Sequence, residues 1–262
     1  MPVSEYAHML TTMLPRQRDE RIVELLRRDG GASAVDLAGA LSVSVATIRR
    51  DLERLAGEGR LSRVHGGAFY RDETELPFPE VVHEDAEAKD LIAARAAEIV
   101  ADGEVVFLDI GTTTMRIAHH LRGRDVTVIT SSLAVLDVLR NDDAVELVLL
   151  GGTMRRNYQT LVGPLTEEAL TLVRPDLAFV SCTGVRPDGS VVDDISQEAT
   201  IKRAVVTSAE RTALVASGTK FPGKGSLRIA RVEQLDYLLT SAGADDATLA
   251  LCSGAGGKVI VA

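Results

Sequence analysis

The sequence predicts an α/β protein in two parts: an N-terminal winged helix-turn-helix, then a C-terminal doubly wound, mainly parallel α/β domain. Three observations predict this. Apolar residues recur with helical spacing up to Tyr70. After Pro79, short apolar runs with strand character alternate with helix-like runs. Between them, the stretch Arg71–Glu80 is acidic and holds two prolines, the composition of a linker. The expected divisions are an extension over 1–14, the winged helix-turn-helix over 15–70, a linker over 71–85 and the second domain over 86–262. Met13 immediately precedes the first organised helix and is a candidate for the biological start.

In the first domain, Arg16 to Arg28 puts Ile22, Leu25 and Leu26 on one face, and Gly30-Gly31 stops that helix. Ser33 is an N-cap for a second helix, with Asp36 three residues later as in a capping box. Val35, Leu37, Ala38 and Leu41 are its expected apolar contacts. Leu41–Ser44 is a short turn, and Ser44 caps a third helix, Val45 to Ala56. There Val45, Ile48, Leu52 and Leu55 form one buried stripe. Ala46, Thr47, Arg49, Arg50 and Glu53 occupy the other face, where Thr and Arg near a helix N-terminus can read bases and phosphates in the major groove. Arg60 to Val64 is a short strand, His65-Gly66-Gly67 a tight turn and Ala68–Tyr70 the returning strand. This hairpin is a wing that offers Arg60, Arg63 and His65 to the phosphate backbone.

Charge is divided accordingly. The chain carries −9 overall, yet residues 1–71 contain 11 Arg, no Lys and 9 acidic residues, a local +2, which leaves −11 on the remainder. Acidity in the second domain repels DNA and confines contact to the small basic module. The composition, 45% hydrophobic and 26% charged, is that of a soluble globular protein. No apolar run reaches the roughly 20 residues of a membrane span, and the N-terminus lacks a secretory or transit signature. A cytoplasmic protein without membrane contact is expected. The two cysteines, Cys182 and Cys252, sit in apolar surroundings away from any His at ligand spacing, so neither a metal nor another cofactor is expected.

Ser42 to Leu55, followed by Gly59 to Ala68, closely resembles the DNA-binding signature of the DeoR family of bacterial regulators. The resemblance implies that Thr47, Arg49 and Arg50 lie on the recognition helix, and Arg63, His65, Gly66 and Gly67 on the wing. The implied partner is double-stranded operator DNA. Two-fold operators need paired recognition helices, so a homo-oligomer, dimer or tetramer, is expected.

The second domain begins with a helix, Ala86 to Val100. Strands are expected at Glu104–Leu108, Val126–Ile129, Val145–Leu150, Leu177–Val180, Ala213–Ala216, Asp236–Leu239 and Lys258–Val261, with helices ending near Leu121 and Arg140. Ligands bind such sheets at the carboxyl ends of the strands. Asp109, Gly111, Thr112, Thr113 and Thr114 follow the first strand there. Ser131 and Ser132 follow the second, and Gly151, Gly152 and Arg155 the third. Glycine permits close backbone approach, Ser and Thr bring hydroxyls, and a helix N-terminus favours an anion. The set suits a phosphate or a polyhydroxyl ligand.

The family resemblance continues through Asp109–Thr114, Gly151-Gly152 with Arg155, Val162–Pro164, Glu198-Ala199 with Lys202-Arg203, and Lys220-Phe221. It implies an effector domain similar to ribose-5-phosphate isomerase and CoA-transferase-like folds. That domain would sense a phosphorylated sugar or related metabolite whose binding relieves repression. Carried over residue by residue, it adds Glu198 and Lys220 to the effector-site candidates. The chain departs from the family pattern at Ser131, in place of an amide, and at Ser217 and Ser241, in place of carboxylates. Two other readings remain: a constitutive DNA-binding oligomer that senses nothing, and an isomerase fused to a DNA-binding domain with Asp109, Asp193 or Glu198 as base. No base and acid pair is evident in the sequence, and no catalytic residue is assigned.

Overall fold

The apolar stripe of the third helix is the centre of the first unit. In the computed structural model, which describes residues 14–29, 31–58, 60–64, 66–70 and 77–262, Ile48, Leu52 and Leu55 are fully buried or nearly so. They pack on Ile22, Leu25 and Leu26 of α1 (Pro15–Asp29) and on Leu37 and Leu41 of α2 (Ala34–Leu41). Between these helices runs a three-residue strand, β1 (Gly31–Ser33). That third helix, α3, spans Val45–Gly57. The wing strands β2 (Leu61–Val64) and β3 (Gly67–Tyr70) pair antiparallel, and β1 adds to the other edge of β3.

Two expectations need correction here. Gly31 does not merely stop α1; it opens β1, so the wing is the end of a three-stranded sheet. Val35 is 65% exposed and contributes nothing to the core, because one turn of α2 faces solvent at that position. The expected caps are present. Ser33 Oγ accepts from Asp36 N at 3.1 Å and donates to the Asp36 carboxylate at 2.7 Å. His65 and residues 1–13, with the candidate start Met13, lie outside the described residues.

The second compact unit covers residues 76–262. It starts with a single turn, α4 (Phe78–Val81), followed by α5 (Ala86–Glu98). Then come β4 (Val105–Leu108), α6 (Thr112–Leu121), β5 (Val126–Thr130), α7 (Leu133–Leu139) and β6 (Val145–Leu149). A hairpin, β7 (Thr153–Arg155) with β8 (Thr160–Val162), leads to α8 (Pro164–Thr171) and β9 (Leu177–Val180). The remainder is β10 (Gly184–Val185), β11 (Ser190–Asp193), α9 (Ser196–Ser208), β12 (Arg211–Val215), β13 (Leu227–Arg231), β14 (Tyr237–Thr240), α10 (Asp246–Gly254) and β15 (Lys258–Val261).

Seven strands form one parallel sheet in the order β15-β14-β12-β9-β4-β5-β6. Alternate residues serve opposite cores. Val106, Leu108, Phe179, Ala213 and Val215 face α5, α6 and α7. Phe107, Ala178, Val180 and Leu214 face α8, α9 and α10. Burial on both faces is why these strands read as continuous apolar runs. The chain winds outward from β4 to β6, then returns to β9 on the other side of β4 and winds to β15. The winding reverses between β4 and β9, and the crevice beyond their carboxyl ends is the topological switch point where such sheets bind ligands.

The short strands β7, β8, β10, β11 and β13 were not expected from sequence. They have two to five residues and no long apolar period. Cys252 is fully buried and Cys182 partly so, with its thiol pushed up to about 12 by burial. No described helix is long and apolar enough to cross a membrane.

Candidate functional site

Two sets of residues are built by the two units. In the first, Ser44 caps α3 by accepting from Thr47 N at 3.1 Å, and the two hydroxyls lie 2.8 Å apart. Thr47 therefore presents a side chain already held at its inner end. Arg49 and Arg50 are exposed two and three residues further on. Arg63 on β2 is also exposed and pairs with Glu53 at 3.1 Å, a contact that water and salt weaken.

Gly66 has φ +89°, a left-handed conformation that favours glycine. Gly67 must be glycine for another reason. A Cβ there would lie 2.3 Å from the carbonyl oxygen of Ala32, because β1 lies directly beside it. The α3 face is oriented from behind by charge. Arg18 on α1 holds Asp51 at 2.6 Å, and Arg54 reaches Asp19 at 2.5 Å. These four residues tie α1 to α3; sequence reasoning missed them because opposite charges 33 and 35 residues apart leave no local pattern.

In the second unit, Asp109 sits at the end of β4 and is 1% exposed. Its carboxylate accepts from Ser181 N at 2.9 Å and from Ser181 Oγ at 2.8 Å, across the switch point. Lys202 of α9 is buried between two acids, 2.5 Å from Asp193 and 3.6 Å from Asp109. Burial works against its charge, but Asp109, Asp193 and Glu198 outweigh it and hold the ammonium above its ordinary value. Asp193 is also strongly desolvated, yet Lys202 and the amides of Ile195 and Asp194 keep it low. Asp109 is raised, chiefly by burial.

Arg155, at the end of β7, bonds to Glu198 at 2.5 Å, and its guanidinium lies 5.7 Å from the ring centre of Tyr158. Burial raises Glu198 to about 7 despite Arg155. Tyr158 rises to about 12 through burial and the nearby Glu198. The switch point thus gathers Asp109, Arg155 and Glu198 with Lys202, Asp193, Ser181 and Tyr158.

The other candidates are placed as follows. Gly111 has φ +138° and opens α6, and a Cβ there would stand 3.3 Å from Ser181 Oγ. Thr112, Thr113 and Thr114 form the buried first turn of α6 rather than a loop, and Thr114 Oγ1 donates back to Gly111 O at 3.0 Å. Ser131 is fully buried at the end of β5 and its Oγ has no hydrogen-bond partner among the described residues. Gly151 O accepts from Thr166 Oγ1 at 2.7 Å, and Gly152 has Thr166 Oγ1 where a Cβ would be, so this pair seats α8 against the sheet.

Lys220 lies on the turn after β12, in a second group. The hydroxyls of Ser217 and Thr219 donate to Asp85 at 3.1 and 2.7 Å, and Ser241 Oγ accepts from Gly218 N at 2.9 Å. Two of the three family departures, Ser217 and Ser241, therefore shape this turn. Asp85 is the last residue of the stretch that the sequence predicts as linker. Among the described residues, no cluster of three His, Cys, Asp or Glu side chains is placed to hold a metal ion.

Comparison with known proteins agrees with both units. A model of the DeoR-like helix-turn-helix domain matches residues 18–74, and a model of the DeoR C terminal sensor domain matches residues 84–242. The HTH-type transcriptional regulator GlpR of Haloferax volcanii is 35% identical over 231 residues, 87% of this chain and 90% of its own length. The glycerol-3-phosphate regulon repressor of Escherichia coli is 30% identical over 232 residues, covering 88% and 92%. The L-fucose operon activator of Haemophilus influenzae is 30% identical over 225 residues, covering 85% and 90%. With both domains matched and relatives aligned over nearly their whole length, this chain belongs to the DeoR family of DNA-binding transcriptional regulators.

Proposed function

We propose that this regulator represses genes of carbohydrate metabolism and releases its operator when a phosphorylated sugar or polyol binds at the switch point of the second unit. The observation that carries the reading is the buried charged group at the carboxyl ends of β4 and β9, where Arg155–Glu198 lies beside Lys202 and its two aspartates. Charges buried without solvent are costly, and a cluster of them in a ligand crevice is a mark of a functional site. Asp109, Gly111, Thr112, Thr113, Thr114, Ser131, Arg155, Glu198 and Lys220 are the assigned ligand-facing set. The unpartnered Ser131 hydroxyl suits a ligand hydroxyl. Gly152 acts through its close approach to Thr166, and Gly151 through the hydrogen bond its carbonyl accepts from the same side chain. Relatives whose names refer to glycerol 3-phosphate and fucose operons support the substrate class.

On the first unit, Ser44, Thr47, Arg49 and Arg50 meet the major groove, and Arg63, Gly66 and Gly67 place the wing on the backbone. The operator-bound form is a homo-oligomer that pairs two recognition helices.

The second unit senses rather than catalyses. Asp109, Asp193 and Glu198, the acids available as a base, are each committed to Ser181, Lys202 or Arg155. Fluorescence anisotropy on promoter DNA at fixed salt, with a panel of sugar and polyol phosphates, tests the reading. One metabolite that weakens operator binding without being consumed is the expected result. Turnover of ribose 5-phosphate, or operator affinity indifferent to the whole panel, would refute it.

A further inference from the structure

We propose that Asp85 is an internal stand-in for the phosphoryl group of the effector, and that the effector displaces it from the turn Ser217–Lys220. This rests on the sensor reading above and names the residue that couples ligand to regulation. Three observations meet at this side chain. The carboxylate takes hydroxyl hydrogen bonds from Thr219 at 2.7 Å and Ser217 at 3.1 Å. Lys89 and Lys220 both stabilise its charge, adding to the hydroxyls that hold it below the usual carboxylate range. Asp85 is also one of three non-glycine residues with a positive φ among the described residues, at +49°, a left-handed conformation that Asp and Asn adopt more readily than other side chains.

Two hydroxyl donors converging on one anion, with the fields of Lys89 and Lys220 acting on it from further away, are the ingredients of a phosphate site. A phosphoryl group brings three acceptor oxygens and nearly two charges where the carboxylate brings two oxygens and one charge. The position is open to solvent, since Asp85 and Thr219 are both exposed, so exchange needs no opening of the core.

The placement of Asp85 in the chain gives the exchange a consequence. It ends the segment that begins at α4 and leads back towards the DNA-binding unit. The same segment carries Phe78, whose ring meets Tyr158 edge-on at 5.5 Å, and Tyr158 lies against Arg155. Residues 78–85 are therefore fastened to the ligand crevice through Tyr158 at one end and to the Ser217–Lys220 turn at the other. Expelling the Asp85 carboxylate frees one fastening and lets its backbone leave the left-handed region. The ligand-free latch belongs to the operator-binding state.

The test uses the full chain and two probes, inorganic phosphate by calorimetry and promoter DNA by anisotropy. Asp85→Asn keeps a residue type that tolerates positive φ while removing the charge. It is expected to bind inorganic phosphate at least tenfold more tightly than the unmodified chain, and to bind the operator at least tenfold more weakly without any ligand. Adding Ser217→Ala and Thr219→Val to that variant should abolish the gain in phosphate affinity, and heat unfolding verifies that each variant is folded. Equal phosphate affinity with and without Asp85→Asn overturns the proposal. A gain in phosphate affinity alongside an operator response to no sugar phosphate would uphold the anion position and instead refute the choice of effector class.

Discussion

Arg18 and Asp51 face one another at 2.6 Å across the helix pair α1 and α3, with side chains only 10% and 9% exposed. Asp51 belongs to α3 and Arg18 to α1, so the pair ties the recognition helix to its neighbour. Removing one partner of a buried pair costs roughly 3–5 kcal/mol where the other charge is left alone, and Asp19, which also stabilises Arg18, sets the cost here at the lower end of that range. Asp51→Ala is therefore expected to lower the unfolding free energy of the first unit by about that much. Denaturant unfolding of the full chain, followed by a probe in the first unit, measures it; a loss under roughly 1 kcal/mol would mean the pair behaves as a solvated one.

Arg49 and Arg50 stand exposed on the outer face of the same helix. Arg49→Ala and Arg50→Ala are expected to cost roughly 1–3 kcal/mol each in operator binding and to relax sequence preference. Arg63→Ala on the wing should act differently: binding weakens about equally on all sequences, and the salt dependence falls by about one phosphate contact. Anisotropy across a salt series separates the two behaviours. A salt slope unchanged by Arg63→Ala would place the wing off the backbone.

Gly67→Ala is predicted to damage the wing without touching any DNA contact. Its new Cβ would meet the Ala32 carbonyl at 2.3 Å, and backbone on both strands must part to admit it. Proteolysis of the first unit and operator affinity should both report the change, while phosphate binding at the second unit stays as it was. An unaltered protease pattern would show that the β1–β3 contact is loose.

Glu198 predicts a pH dependence. Burial raises its carboxyl from 4.5 to about 7, so the folded chain holds that proton more tightly than the unfolded chain. The associated stability is complete below pH 4.5 and is lost as pH rises through about 7. A shift of this size corresponds to about 3 kcal/mol at most. Glu198→Gln should flatten the unfolding midpoint of the second unit between these limits. Parallel pH profiles for the two proteins would mean that Arg155 keeps Glu198 ionised throughout.

The sequence by itself determined the elements whose burial repeats along the chain. The α3 stripe Ile48, Leu52 and Leu55, the glycine-turned wing and all seven strands of the parallel sheet were legible, because one-face or two-face burial imposes a period that neighbouring residues display. Ser33 and Ser44 announced their helices because a cap bonds only a few residues away. The positions of Asp109, Gly111 and Arg155 beyond the carboxyl ends of strands were legible from the same strand periods. Tertiary structure alone decided the rest. β1 is three residues long and exists as a strand because β3 supplies its partner. Lys202 and Tyr158 joined the crevice from a helix and a hairpin that carry no pattern of their own. Asp85 falls in the stretch expected to be linker, and only the fold brings it to a hydroxyl 132 residues away. Such pairings depend on where the folded backbone brings two side chains together, and an ion pair or hydrogen bond between distant residues imposes no period on either stretch of sequence.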